Sequence, residues 1–192
     1  LDLAEEHLNK SLAAREQMGD DTGCIGLRLS LGRIMQLKGD AVAAREFFQQ
    51  AAHDYEALGD LAGYSAAQNN LGNLYSDQGD CRKATMCYKS SLDAARAEGD
   101  RHGMAVASSN LAALYLQDGE VDRARELYQG CREDFARLGD ARAEGQALLG
   151  LAAAVSACGD LSTALQHYQD CLDFQMGRRD CPAMIVALEG LV

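Results

Sequence analysis

Residues 69–92 read NNLGNLYSDQGDCRKATMCYKSSL, and this stretch decides the fold. Its centre is Gly79-Asp80. Glycine tolerates the left-handed conformation that closes a helix, and aspartate accepts hydrogen bonds from the free amides that open the next. The same Gly-Asp pair stands at 19–20, 39–40, 59–60, 99–100, 139–140 and 159–160, with Gly119-Glu120 and Asp180 continuing the series. Between marks lie about 17 residues, nearly five helical turns. Helices joined so tightly are expected to pack antiparallel.

The segments alternate in kind, which predicts a repeat of 40 residues. One kind carries Leu-Gly or Leu-Ala, then an apolar residue: Leu31-Gly32 leads to Met35, Leu71-Gly72 to Tyr75, Leu111-Ala112 to Tyr115 and Leu151-Ala152 to Val155. The other carries alanine and a large residue four further on, in Ala4/Leu8, Ala44/Phe48, Ala84/Tyr88, Ala124/Tyr128 and Ala164/Tyr168. Four residues apart is one face of a helix. The small residue lets neighbouring backbones approach, and the large one fills the space beside it.

Leu71, Gly72, Tyr75, Gly79, Ala84 and Tyr88 closely resemble the tetratricopeptide repeat, and similar matches run over the whole chain. An early tryptophan and a closing proline of that family are missing, and the longer repeat resembles those of the LGN/Pins G-protein-signalling modulators. The resemblance implies an all-α fold, a right-handed superhelical solenoid of antiparallel helix pairs. The expected array occupies 1–192 as a single domain. It comprises a lone second helix (1–18), four full pairs (21–58, 61–98, 101–138, 141–178) and the start of another first helix (181–192), where Pro182 suits a first turn. Both ends fall within helices, so the chain is expected to be a piece of a longer protein, with apolar repeat ends open to self-association.

In that family the first helix of each pair lines the concave face, where a protein or peptide ligand binds. Carried over by position, the lining is Gly26, Leu29, Arg33 and Gln36; Ala66, Asn69, Asn73 and Ser76; Val106, Ser109, Ala113 and Leu116; and Gln146, Leu149, Ala153 and Ser156. Only Arg33 among them is charged. Asn69 and Asn73 can exchange hydrogen bonds with a peptide main chain, while Leu29, Val106, Leu116 and Leu149 can receive apolar anchors or pack as core. Asn70 and Asn110 can contact ligand or tie helices together. The lining lacks the lysines of carboxylate-clamping relatives and the arginines of LGN-type grooves, so a strongly acidic ligand is not expected to bind tightly. The function expected is a protein-interaction scaffold, with an oligomerisation or regulatory arm as the alternative.

Charge and motif content narrow the classes further. The net charge of −11 disfavours a nucleic-acid or anionic-membrane surface. No apolar run approaches the ~20 residues that span a bilayer. Seven cysteines fall largely at apolar helix positions, and Cys131 and Cys171 share the place of Ala51, so they read as small core residues in a reducing, cytoplasmic setting. His7 and His167 hold one repeat position but lie four repeats apart, too far to share a metal. No HExxH, GxxxxGK or GxSxG motif occurs, so neither enzyme activity, a metal nor a cofactor is expected.

Overall fold

The computed structural model describes residues 1–176, which include nine helices and no strand. They are α1 (Asp2–Met18), α2 (Asp21–Lys38), α3 (Ala41–Leu58), α4 (Leu61–Asp77), α5 (Cys81–Glu98), α6 (Arg101–Gln117), α7 (Val121–Leu138), α8 (Ala141–Ala157) and α9 (Leu161–Met176). The helix expected over 181–192, with Pro182, lies outside the described residues. By contact the chain divides into two compact units, Leu1–Gly103 and Met104–Val192.

Helix ends follow the Gly-Asp marks. Gly19, Gly39, Gly59, Gly79, Gly99, Gly119, Gly139 and Gly159 all have positive φ, between 69° and 84°. Their amides return to carbonyls of the last turn, as Gly79 N does to Ser76 O at 2.9 Å. Each following aspartate opens the next helix. Asp20, Asp40, Asp60, Asp80, Asp140 and Asp160 accept from the amides of Gly23, Ala43, Gly63, Lys83, Ala143 and Thr163 at 2.8–3.1 Å. Glu120 makes no such cap. Its longer side chain pairs with Arg123 instead.

In the first unit α2, α3, α4 and α5 pack in sequence, and α2 also touches α4. Leu31, Ala44, Phe48, Ala51, Ala67, Leu74, Ala84 and Tyr88 are buried there. α1 packs on α2 but buries none of its own residues. The ring of Phe48 lies against Gly32 and that of Tyr88 against Gly72, where a Cβ would stand 2.5 Å and 2.4 Å from ring carbon. The glycine of each Leu-Gly pair is thus a contact surface for the aromatic of the following helix.

In the second unit Ala112, Ala124, Tyr128, Leu151, Ala152, Val155, Ala164 and Tyr168 form one apolar cluster. Ala105, Cys131, Phe135 and Ala147 form another. Alanine replaces glycine at 112 and 152, and Tyr128 meets Gly150 instead, where a Cβ would come within 2.3 Å of the ring.

A second packing position recurs at an offset of 26 residues. Ser65 Oγ donates to Ser91 O at 2.9 Å, Cys131 Sγ to Ala105 O at 3.3 Å, and Cys171 Sγ to Gly145 O at 3.8 Å. Cys131 and Cys171 are buried. Burial pushes the Cys131 thiol up to about 12. They act as small core residues with a weak donor, not as nucleophiles.

Candidate partner-binding face

The first-helix residues singled out above stay accessible. Arg33 and Gln146 are exposed, and Leu29, Gln36, Asn69, Asn70, Asn73, Ser76, Val106, Ser109, Asn110, Leu116 and Leu149 are half-buried. None belongs to the sealed core. The helical period separates them cleanly from their neighbours: Leu71, Leu74 and Tyr75 turn inward while Asn69, Asn73 and Ser76 do not.

In the first unit, Leu29, Arg33 and Gln36 on α2 stand with Asn69, Asn70, Asn73 and Ser76 on α4. The two helices are linked where Gln36 Nε2 donates to Asp77 Oδ2 at 2.8 Å. Asn73 is committed inside the fold: Tyr88 Oη donates to Asn73 Oδ1 at 2.8 Å. Burial pushes the Tyr88 phenol up to about 12, the Asp77 charge adds to the rise, and a Ser76 hydrogen bond opposes it. Asn73 therefore serves as a bracket for Tyr88 through its Oδ1. The reason is the hydroxyl of Tyr88, which needs a partner once it is buried.

In the second unit the apolar residues do two jobs. Val106 packs on the Cys131–Phe135 cluster, Leu116 on the Tyr128–Leu151 cluster, and Leu149 on that cluster and on Cys171 and Leu172. They close the core with one side and keep the other side partly open. Ser109, Asn110 and Gln146 complete the polar part of this face. The first-helix faces thus offer small, mostly neutral side chains, with hydrogen-bonding groups set among apolar ones.

Sequence reasoning missed two ties. One is Gln36 to Asp77; the other is Asn73 to Tyr88, whose signal was the hydroxyl itself. Arg33 occupies the place of Asn73 where the aromatic is Phe48, and Phe48 has no hydroxyl to satisfy.

The tetratricopeptide repeat model matches residues 24–97 and 103–176. The chain belongs to the tetratricopeptide repeat family. Among solved structures this tetratricopeptide repeat chain is similar to BtubC (BKLC) from P. vanneervenii, at TM-score 0.79 and 20% identity, over 92% of this chain and 74% of that one. It is also similar to a Rap protein complexed with competence and sporulation factor, at TM-score 0.82 and 14% identity, over 94% of this chain and 50% of that one. A third is a Podosopora anserina putative kinesin light chain with nearly identical TPR-like repeats, at TM-score 0.69 and 19% identity, over 85% of this chain and 82% of that one. Identities this low establish the shared fold alone. No curated protein sequence matches.

No group of three or more His, Cys, Asp or Glu side chains is placed to hold a metal ion among the described residues. Among them, too, no helix is long and apolar enough to cross a membrane.

Proposed function

We propose that this chain is a protein-interaction scaffold that takes a peptide or helical segment of a partner on its first-helix face. One observation carries the reading. A face bearing Leu29, Gln36, Asn69 and Ser76 stays half-open, with Arg33 its single charge among the positions carried over, in a protein rich in surface charge. Such a face suits a ligand engaged by main-chain hydrogen bonds and a few apolar anchors. Tetratricopeptide repeat proteins generally mediate protein–protein interactions, and the structure of the Rap protein with competence and sporulation factor supports ligand capture by a related fold. The unit of this reading is the 40-residue helix pair of the LGN/Pins type, without the arginines those grooves carry.

The test compares the parent chain with an Arg33→Glu, Asn69→Arg variant as baits, with circular dichroism on both. Asn73 is left intact because Tyr88 depends on it. Partners held by the parent and lost by a fully helical variant are the expected result. Partners retained equally by both would place binding elsewhere.

A further inference from the structure

Two of the four equivalent positions pair an aromatic ring with a cation, and two, Met35/Ala43 and Val155/Thr163, do not. At the end of α4, Tyr75 is buried with Lys83 Nζ 5.2 Å from its ring centre, and Lys83 also pairs with Asp80 at 2.7 Å. At the end of α6, Tyr115 carries Arg123 5.6 Å from its ring centre, and Arg123 pairs with Glu120. In both places an aromatic ring fills the space at the end of a first helix. A cation from the first turn of the next helix covers it and is held by the acid that opens that helix.

At the end of α8 both parts are replaced. Val155 stands for the tyrosine and Thr163 for the cation. The space opens as a pocket of about 460 Å³ lined by Leu151, Val155, Thr163, His167, Glu126 and Asp160, among others. All of these residues belong to the second unit. His167 takes the place of Leu127 and Cys87, and its Nδ1, closed off from solvent, has no hydrogen-bond partner among the described residues. Asp160 is held by the Thr163 hydroxyl and amide and by Ser162 Oγ, with no lysine or arginine at the place that Lys83 and Arg123 occupy in the two filled sites.

We propose that this pocket receives, from a partner protein, the aromatic ring and adjoining cation that the chain itself supplies at Tyr75/Lys83 and Tyr115/Arg123. The occupant is a tyrosine next to a lysine or arginine. Its ring lies on Leu151 and Val155, its hydroxyl lies beside the His167 ring, and its cation meets Asp160 and Glu126. Arg125 is also on the lining, where the two acids Glu126 and Asp160 outnumber it and set the preference for a cation. The pocket lies between α7, the end of α8 and the start of α9, apart from the first-helix residues of the proposed function, so either can fail without the other.

The probe is an acetylated, amidated Gly-Tyr-Lys-Gly tetrapeptide titrated into the isotopically labelled chain by NMR. Saturable shifts are expected at Val155, Thr163 and His167, at least tenfold weaker for the peptides with alanine in place of tyrosine or glutamate in place of lysine. Val155→Tyr with Thr163→Lys rebuilds the filled site; it should abolish the shifts and raise the melting temperature. His167→Leu, which copies Leu127, should keep the fold and weaken binding several-fold, so the proposal is decided even if the double variant folds poorly. Equal binding by the glutamate peptide, by His167→Leu or by a folded double variant overturns it. Shifts at the same residues on concentrating the protein alone would assign the pocket to a second copy and overturn the partner assignment.

Discussion

Single residues act here through the aromatics that stand four places after Ala44, Ala84, Ala124 and Ala164. Tyr88 is the most informative. Its hydroxyl is bound by Asn73, and burial holds its phenol near 12 against 10.0 when free. Between those values the unfolded chain has lost the proton that the folded chain keeps, so stability falls as pH rises from 10 towards 12. Tyr128 shifts the same way through burial and adds to the effect. Tyr88→Phe is expected to cost about 1 kcal/mol near neutrality through the lost hydrogen bond. The variant should also show a shallower loss of melting temperature above about pH 10. Parallel melting curves for the two proteins over that range would refute the assignment. Gly150 gives a second residue-scale prediction, because the Tyr128 ring occupies the space of its absent side chain. Gly150→Asn, which copies Asn70 and Asn110, is expected to destabilise by about 1–3 kcal/mol through overpacking. Ala112→Gly in the same background should recover part of that, since Gly72 accepts the Tyr88 ring at the corresponding place. Additive losses in a double-mutant cycle would show that the ring does not choose between the two sites.

Helix boundaries were legible because each is written twice, as a left-handed glycine that stops one helix and a carboxylate that starts the next. The packing stripe was legible for a similar reason: alanine and aromatic residues four apart, as in Ala44/Phe48 and Ala84/Tyr88, are buried together. The function of the first-helix face was less so. Helical periodicity tells which residues leave the core, but it does not tell that Asn73 has a tyrosine hydroxyl beside it or that Gln36 reaches Asp77. Those contacts depend on side chains brought together by packing between helices. The pocket at Val155 stands in the sequence where Tyr75 and Tyr115 have their ring, yet its meaning needed the cation over those two rings. At this scale the exception among the caps is the most useful test. Glu120 sits where aspartate caps six other helices, and it leaves the α7 amides without that bond. Glu120→Asp is expected to stabilise by roughly 0.5–1 kcal/mol, within the range of a good N-cap. The shorter side chain can still meet a basic residue three places on, as Asp80 meets Lys83. A melting temperature unchanged or lowered by Glu120→Asp would mean that the Arg123 pair outweighs the cap.

For the whole molecule the dominant electrostatic fact is the net charge of −11. Two opposing effects depend on salt. Screening weakens the ion pairs, which costs stability, and it weakens repulsion among unpaired acids, which restores it. The pairs decide little. Lys10–Glu6, Arg96–Asp93 and Arg125–Asp122 lie within one turn of a helix and are largely exposed, where such pairs are worth a few tenths of a kcal/mol. Arg28 with Asp54, at 3.0 Å and 26% and 22% exposed, is among the few that are partly sheltered. Repulsion should therefore win. Raising sodium chloride from about 20 mM to about 300 mM, across which the Debye length shrinks from well beyond the spacing of surface charges to less than it, is expected to raise the melting temperature. A rise of about 2–4 °C would correspond to about 1 kcal/mol for a chain of this size. The same field acts on partners. It draws in cationic segments and slows acidic ones, so association of the tyrosine–lysine probe with the pocket at Val155 should weaken over the same salt range while the fold grows more stable. A melting temperature that falls with salt would show that the ion pairs, not the excess acid, set the balance. Probe binding indifferent to salt would remove Asp160 and Glu126 from its recognition.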